Sequence, residues 1–207
     1  MYTPPAFQEN DVALIFEQIR NARLAHFITS SPEGLLATPL PMFVDETEGP
    51  HGVLYGHLAR ANPQWNAATK GDALAIFMGP DAYVTPAWYQ TKRETGKVVP
   101  TWNYLTVHAY GAVEFFEDAA RLLDVVKKLT HLHEHARPEP WAVTDAPDAY
   151  IQSQLKGIVG IRMTISRLEG KRKMSQNRSV EDRAGVSGGL AASDNVNDQI
   201  ASRFIPL

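Results

Sequence analysis

The sequence predicts a mainly β protein with flanking helices, arranged as an antiparallel barrel or sandwich. Several short runs rich in β-branched and aromatic residues follow one another along the chain, and turn residues such as Pro32-Glu33-Gly34 and Lys70-Gly71-Asp72 separate them. Parallel βαβ folds alternate strands and helices regularly, and this chain does not. A length of 207 residues is sufficient for one domain with its own core.

The N-terminal part of the chain predicts a helix followed by two paired strands. Asn10 or Asp11 can cap a helix whose apolar residues recur at helical spacing as far as residue 22. Residues 24–31 and 35–44 flank a Pro-Glu-Gly turn and predict an antiparallel pair. The second run contains two prolines, which cannot donate to a strand ladder, so this strand is predicted to be irregular or at a sheet edge.

The middle of the chain predicts further strands with short connections. Residues 53–58 form an apolar run, and Asn62-Pro63 has the cap-then-proline order with which a short helix begins. Residues 73–78 and 82–84 predict two strands separated by a Gly-Pro-Asp turn. The charged stretch 91–97 contains a glycine and is predicted to be a mobile loop.

The C-terminal half predicts a long strand, two helices and a last strand, over 104–116, 119–134, 147–156 and 158–168. Asp118 is in the position to cap the first of these helices. Beyond residue 170 the chain is polar and helix-prone in parts, and Gly185–Gly189 is predicted to be a flexible interruption. We therefore divide the chain into a main domain, residues 1–170, and a C-terminal segment, residues 171–207.

The composition is that of an ordinary globular chain, and it excludes several classes of site. Without cysteine the chain has no disulfide, thiolate nucleophile or zinc–cysteine centre. The net charge of -3 is not the overall basic footprint of a typical DNA-binding domain, although a local basic patch is compatible with it. No apolar run reaches the roughly 20 residues that span a bilayer, and the first residues lack a leader pattern. We expect a cytoplasmic protein without a membrane segment.

The stretch Val98–Tyr104 is the strongest candidate for a recognition surface. It places Trp102 and Asn103 directly after Pro100, and the proline stiffens the backbone that enters the following strand. The alternative is an ordinary loop-to-strand junction at which the tryptophan covers the core.

A second candidate is a cationic corner between a strand and the start of a helix. Arg60 offers a forked guanidinium immediately before the helix that opens at Asn62, and helix N-termini favour phosphate. The alternative is an exposed arginine beside a routine cap. His57, in the same motif, and His108 are candidates for a general acid or base, although each is equally compatible with a structural histidine of the sheet.

A third candidate is the polar run Lys171–Ser179. Its amides and hydroxyl, on Ser175, Gln176 and Asn177, could bind the edges of a flat heterocycle beside the cation of Lys173. A nucleic-acid patch and a solvated helix start, capped by Ser175 or Asn177, are the alternatives.

His131, Glu134 and His135 match the H-x-x-E-H spacing of an inverted zinc-protease motif. A third ligand would have to come from elsewhere, and histidines at a helix end are commonly solvated beside its negative dipole end. We therefore assign no metal site. The chain also lacks G-x-G-x-x-G, P-loop and G-x-S-x-G motifs, whereas a flavin held on a small barrel remains compatible with it.

Five motifs together resemble the PaiB-type FMN-binding negative transcriptional regulators, relatives of the pyridoxamine phosphate oxidase-like flavoproteins. They are Met1–Phe7, Gly56–Trp65, Tyr83–Tyr89, Val99–Tyr104 with Val107-His108, and Lys173–Arg178. The resemblance implies a six-stranded antiparallel split β-barrel, a homodimer, and FMN in a cleft between subunits that the C-terminal segment completes.

Carried over residue by residue, the resemblance implies a set of FMN contacts. Arg60 and Asn62 would lie by the phosphate, and Thr38 and Pro39 beside the isoalloxazine. The remaining predicted contacts are His57, Trp102, Asn103, Lys173, Ser175, Gln176 and Asn177. The resemblance implies transcriptional repression, with DNA as a partner, although no recognition helix is visible. An FMN-dependent oxidoreductase acting on a small molecule is the alternative function, because fold alone does not separate the two.

Overall fold

The computed structural model describes residues 1–22, 24–67 and 69–207, which form two compact units. The first unit consists of Met1–Asn21, Met78–Val107 and Glu169–Leu207, and the second of Ala22–Phe77 and His108–Leu168. The chain thus enters the first unit three times. The predicted division at residue 170 is a different one, and it stays a prediction.

The architecture is mainly an antiparallel sheet with flanking helices. The strands are β1 Gln8–Glu9, β2 Ala25–Ser31, β3 Gly34–Leu40, β4 Met42–Asp45, β5 Val53–Ala59, β6 Ala73–Val84, β7 Thr101–Phe116 and β8 Ile158–Lys173. The helices are α1 Val12–Asn21, α2 Gln90–Thr95, α3 Ala119–Glu134, α4 Asp148–Leu155, α5 Val180–Ala191 and α6 Val196–Ser202. Single 3₁₀ turns lie at Pro5–Phe7, Pro63–Trp65, Pro86–Trp88 and Val143–Asp145. The strand order is β3-β2-β6-β7-β8-β5-β4, with β1 paired to β8.

The two prolines of the third predicted strand act differently from each other. Pro39 lies opposite His26 on β3, at the end of the strand order, so the predicted edge position is confirmed. Pro41 ends that strand, and the residues after it form β4, which pairs with β5 instead of β2. One continuous strand over 35–44 is therefore wrong. The corner at Pro41 lies against Gly56, where a Cβ atom would come within 3.1 Å of the Pro41 carbonyl oxygen.

The predicted turn at Gly79-Pro80-Asp81 is wrong, because β6 runs without interruption from Ala73 to Val84. The register between β2 and β6 extends from Leu74 to Phe77, so Pro80 lies beyond it and its missing N–H costs no bond to β2. Gly79 is needed in the strand because the side chain of Gln18 occupies the space where a Cβ atom would stand.

Three further predictions near the C-terminal half need correction. The stretch predicted to be a mobile loop forms α2, which ends at Gly96 with a φ of 68°. β8 continues to Lys173, five residues past its predicted end at Leu168. The glycines of 185–189 lie inside α5, which Ser179 caps in place of the predicted Ser175 or Asn177, so they do not interrupt the helix.

Several helix starts are confirmed at the predicted residue. The Asp11 carboxylate accepts from the N–H of Ala13 at 2.9 Å, and the Asp118 carboxylate accepts from the N–H of Arg121 at 2.9 Å. α3 buries Leu122, Val125 and Leu129 of its predicted apolar side. α1 buries Ile15, Phe16 and Ile19 but leaves Val12 and Leu14 of its predicted stripe exposed, so that stripe was predicted only in part. None of the helices in the described part of the chain is long and apolar enough to cross a membrane.

Each unit has a hydrophobic cluster of its own. In the first unit, α5 and α6 pack on β6 and β7 through buried side chains that include Tyr89, Leu105, Met174 and Val186. In the second unit, α3 and α4 pack through Leu122, Leu129 and Leu155, with Phe116 from β7. These clusters hold the strand ends that carry the candidate site residues.

Candidate functional site

The predicted FMN contacts divide between the two units. Thr38, Pro39, His57, Arg60 and Asn62 lie in the second unit, and Trp102, Asn103, Lys173, Ser175, Gln176 and Asn177 lie in the first. Each group forms its own hydrogen-bonded arrangement. The assignment of these residues to a cofactor stays a prediction.

In the second unit a ring of hydrogen bonds links β3 to the 3₁₀ turn after β5. The Asn62 amide donates to the Thr38 hydroxyl at 2.9 Å, and the Thr38 hydroxyl donates to the side-chain oxygen of Gln64 at 2.6 Å. The Asn62 oxygen accepts from the Gln64 N–H at 2.9 Å, which closes the ring. Thr38 is half-buried, and Pro39 beside it is exposed. The ring therefore fixes Thr38 on an edge strand whose neighbouring residue faces solvent.

Gln64 is the centre of this arrangement, and it is not among the residues predicted from the sequence. Its side chain is only 1% exposed, and its amide nitrogen donates to the Thr29 hydroxyl at 3.1 Å and to the Leu36 carbonyl at 3.2 Å. A signal was present, since Gln64 directly follows the cap-and-proline pair Asn62-Pro63 in the motif that carries Arg60. A buried glutamine whose side-chain oxygen and nitrogen are both hydrogen-bonded positions its neighbours.

Arg60 lies at the end of β5, as predicted, but its guanidinium is already engaged. It forms an ion pair with Glu117, and its Nε donates to the Lys156 carbonyl at 2.6 Å. The helix predicted after it is the single 3₁₀ turn Pro63–Trp65, which is too short to contribute the dipole of a full helix. A phosphate at this corner would have to compete with the Glu117 carboxylate for Arg60.

His57 points an unsatisfied nitrogen into the protein. Its Nδ1 is buried and has no hydrogen-bond partner among the described residues, and burial lowers the pKa of the imidazole. On β5 it lies opposite Gly160 of β8. A neutral imidazole with a free nitrogen can donate to or accept from a bound molecule.

In the first unit, Trp102 lies on an exposed aromatic surface. The residue is 49% exposed, and its ring meets the Tyr83 ring edge-on at a centroid distance of 5.9 Å. The indole N–H donates to the Asp81 carboxylate at 2.7 Å, so the ring has one fixed orientation. Trp102 therefore does not cover the core, and the recognition-surface interpretation of this stretch fits its exposure better.

Asn103 and Ser175 form a buried polar pair behind this surface. Asn103 is 1% exposed, and its amide donates to the Ser175 hydroxyl at 3.0 Å. Ser175 has a φ of 61°, and among the described residues it is the sole non-glycine residue with a positive φ. This left-handed residue begins a turn in which the N–H of Arg178 donates to the Ser175 carbonyl at 3.0 Å.

Lys173 closes the end of β8 against the start of β7. Its amine donates to the Thr101 hydroxyl and to the Trp102 carbonyl. Burial lowers the pKa of this amine, and the nearby charges of Lys171 and Arg178 lower it further. Gln176 lies beyond the end of β8, and its side-chain amide accepts from the Met174 N–H at 2.6 Å and donates to the Arg172 carbonyl. Asn177 is exposed.

The residues present fit a flavin nucleotide in the chemistry of their donors. A flavin presents ring carbonyls and nitrogens to hydrogen-bonding groups and a phosphate to cations. The second unit offers the unsatisfied His57 nitrogen, and the first offers Lys173 and Arg178, which form no ion pair with a carboxylate among the described residues.

The histidines of the H-x-x-E-H motif lie at the C-terminal end of α3. The rings of His131 and His135 are 5.3 Å apart, and the Glu134 carboxylate accepts from the Trp141 N–H at 3.2 Å. Within residues 1–22, 24–67 and 69–207, no group of three histidine or carboxylate side chains could hold a metal ion. Among those residues, none is a third ligand for this pair.

Solved flavoproteins share this fold. Flavocytochrome Anf3 of Azotobacter vinelandii superposes with a TM-score of 0.60 at 15% identity, over 86% of this chain and 75% of that chain. The FAD and heme binding protein of Mycobacterium smegmatis gives a TM-score of 0.60 at 15% identity, over 86% and 78%. This likeness concerns the fold. The predicted class, a mainly β split barrel with flanking helices, is confirmed, with eight strands in the described sheet where six were predicted.

Sequence comparison identifies the family. Residues 1–167 match the family described as "Putative FMN-binding domain". Protein AN0679 of Emericella nidulans is 34% identical, over 92% of this chain and 90% of that protein. The protease synthase and sporulation protein PAI 2 of Bacillus subtilis is 30% identical, over 95% of this chain and 92% of that protein. The chain therefore belongs to the PaiB-type family of FMN-binding-domain proteins.

Proposed function

We propose that this chain binds FMN and acts as a homodimeric transcriptional regulator of the PaiB type. The observation that carries the proposal is family membership over most of the chain, with PAI 2 of Bacillus subtilis as a full-length relative. That relative is named for protease synthesis and sporulation, which are processes under regulatory control.

Residues of each unit have separate tasks in this function. In the second unit, Arg60 binds the phosphate after release from Glu117, and Thr38 holds the edge of β3 against the isoalloxazine. In the first unit, the Asn103–Ser175 pair donates to the ring. Bound flavin supplies hydride and single-electron chemistry, and the chain supplies orientation and electrostatics.

Absorbance of the purified full chain tests the cofactor directly. We expect a flavin spectrum, either as purified or after addition of FMN, and saturable quenching of FMN fluorescence on titration. Absence of FMN binding by both the purified and the reconstituted protein would refute the regulator and the oxidoreductase together.

The alternative is an FMN-dependent oxidoreductase that acts on a small molecule. Lys171 favours this alternative, because it is only 9% exposed and is therefore poorly placed to contact a DNA backbone. Two assays on the flavin-loaded protein separate the functions. A regulator is expected to shift promoter DNA in a manner that depends on flavin loading, whereas an oxidoreductase is expected to reoxidise a reduced nicotinamide through many cycles without a DNA shift.

A further inference from the structure

Three cations of the first unit lie near one another at the C-terminal end of β8, since the charges of Lys171 and Arg178 both act on the Lys173 amine. Lys171 and Lys173 are two residues apart on the strand, and so they face the same side of the sheet. Their amines lie 5.1 Å and 5.9 Å from the centroid of the same ring, that of Tyr104. The guanidinium of Arg178 lies 4.7 Å from the centroid of the Tyr89 ring. Cation–π contacts of this kind hold a positive charge in place without neutralising it.

The backbone is strained in the turn that positions Arg178 near the end of β8. Ser175 adopts a φ of 61°, which is unfavourable for a residue other than glycine, and the turn that it begins ends at Arg178. Strained residues of this kind concentrate at binding and catalytic sites, where the surrounding structure holds them. Here the buried Asn103 amide holds the Ser175 side chain at 3.0 Å.

No carboxylate of the described residues forms an ion pair with any of these three cations. Arg60, Arg121, Lys128, Arg137 and Arg162 each form an ion pair with a carboxylate, whereas Lys171, Lys173 and Arg178 form none among the described residues. Lys171 is 9% exposed, and its amine donates to the Tyr2 carbonyl at 3.1 Å. Uncompensated charge in a partly buried position is costly, so the cluster is suited to a ligand that brings the opposite charge.

We propose that Lys171, Lys173 and Arg178, held beside the rings of Tyr104 and Tyr89, are a binding site for the phosphate group of a small molecule. A phosphate monoester carries a charge of about -1.5 to -2 and three acceptor oxygens, which suits three cations better than a carboxylate does. Arg178 supplies the planar fork that binds two of those oxygens at once.

A small ligand fits the burial of the cluster better than a nucleic-acid backbone. Duplex DNA requires exposed side chains spread along a surface, and Lys171 is too buried to serve as one of them. The phosphate has two possible sources, the flavin nucleotide itself or a second small phosphate ester bound beside it. The chemistry at the cluster is the same for both, and the proposal stands whether or not the chain binds flavin.

Isothermal titration calorimetry of the full chain with inorganic phosphate tests the site. We expect saturable binding by the unmodified chain and at least a roughly tenfold loss of affinity in both Lys173→Gln and Arg178→Gln. The matched control is Lys92→Gln, which removes one exposed cation of α2 in the same unit and should leave phosphate affinity unchanged. Lys173→Arg keeps the charge and should retain phosphate binding, which separates loss of charge from a folding defect.

FMN and riboflavin distinguish the two sources of the phosphate. If the flavin phosphate occupies the cluster, Lys173→Gln weakens FMN but not riboflavin, and saturating FMN abolishes binding of inorganic phosphate. If a second ligand occupies it, the FMN-saturated protein binds inorganic phosphate as well as the free protein does.

Three results would overturn the proposal: no saturable phosphate binding, equal phosphate affinity in the Lys92 and Lys173 variants, or duplex DNA binding that depends on Lys173 without any binding of phosphate. A chain that binds phosphate but no flavin would refute the proposed function and leave this site intact.

Discussion

His57 was a candidate site residue in the sequence, but its burial is visible only in the folded structure. The motif around Arg60 identified the residue, but the sequence contained no partner for it. In the structure the imidazole is largely buried on β5, and its Nδ1 has no partner among the described residues. Burial makes the neutral form the favoured one in the folded state.

This environment predicts a pH dependence of stability. Because the pKa of His57 is lower in the folded than in the unfolded chain, its contribution is fully present above the unfolded pKa and is lost as the pH falls. We expect the free energy of urea-induced unfolding to decrease between about pH 7.5 and 5.5, and His57→Gln to flatten this decrease. His131→Gln, at an exposed position of α3, is the control and should retain the slope. An unchanged slope in His57→Gln would show that other groups cause it.

Replacement of the buried Gln64 amide is expected to lower the free energy of unfolding substantially. Gln64→Met keeps the approximate volume but leaves the Thr38 hydroxyl and the Leu36 carbonyl without their partner. We expect a loss of about 1–3 kcal/mol in the free energy of unfolding. Gln152→Met, at an exposed position of α4, should change stability by less than about 0.5 kcal/mol. Comparable losses in the two variants would refute the importance of the hydrogen-bonded ring.

We expect the Glu117 carboxylate and the flavin phosphate to compete for the Arg60 guanidinium. Arg60→Ala should weaken FMN more than riboflavin, because only FMN carries the phosphate. Glu117→Gln should tighten FMN binding, because it releases the guanidinium from its ion pair. Fluorescence titration with both flavins measures this. Arg137→Ala, which breaks the exposed Arg137–Glu134 pair, is the control. Equal losses of FMN and riboflavin in Arg60→Ala would place the phosphate elsewhere.

At the scale of elements, segments with a local signal were predictable and segments decided by a distant neighbour were not. α3 was predicted to the residue, because Asp118 caps it and its apolar spacing is regular. The turn at 79–81 was wrong, because Gly79 reflects the close approach of Gln18 from a helix about 60 residues earlier in the chain. The β4 pairing was missed for a related reason, since Pro41 redirects the chain toward a strand that follows it.

The glycines of α5 were also misinterpreted because their role depends on a residue distant in sequence. Gly185 and Gly189 were interpreted as a flexible interruption, but Trp88 lies where their Cβ atoms would be, its carbonyl against Gly185 and its indole against Gly189. Small residues here allow a helix to approach closely, a reason that depends on a residue about 100 positions away.

This packing predicts opposite effects at two neighbouring glycines. Gly185→Ala should destabilise the protein by about 1–3 kcal/mol, because the added methyl group meets the Trp88 backbone. Gly188→Ala has nothing within 4 Å of the new methyl group and should stabilise by about 0.5–1 kcal/mol through helix propensity. Chemical denaturation of both variants measures this difference. Stabilisation by both substitutions would contradict the contact between α5 and Trp88.

At the scale of the whole molecule, the sequence motifs predicted the family and the fold class but not how the chain divides. The residues expected to contact one cofactor come from two compact units, each of which combines distant parts of the chain. Motif order carries no information about this division, because β6, β7 and β8 each contribute residues to both units. The cations of the run Lys171–Ser179 were visible in the sequence, but the left-handed turn at Ser175 that positions Arg178 was not.

The exposed aromatic surface of the first unit bears on the proposed homodimer. Trp102 and Tyr83 are 49% and 48% exposed and pack against each other, and the Asp81 carboxylate fixes the indole. Rigid aromatic side chains that remain exposed are typical of protein–protein interfaces. We therefore expect the strand that begins at Thr101 to lie at the dimer interface.

Trp102→Glu tests this expectation. A carboxylate at this position removes the apolar ring and faces Asp81 with a like charge, so we expect dissociation to monomers. Trp141 is a matched control, because it is 47% exposed and lies in the second unit, so Trp141→Glu should leave the dimer intact. Light scattering coupled to size-exclusion chromatography measures the mass of each variant. A monomeric unmodified chain would refute the homodimer, and a dimeric Trp102→Glu variant would place the interface on another surface.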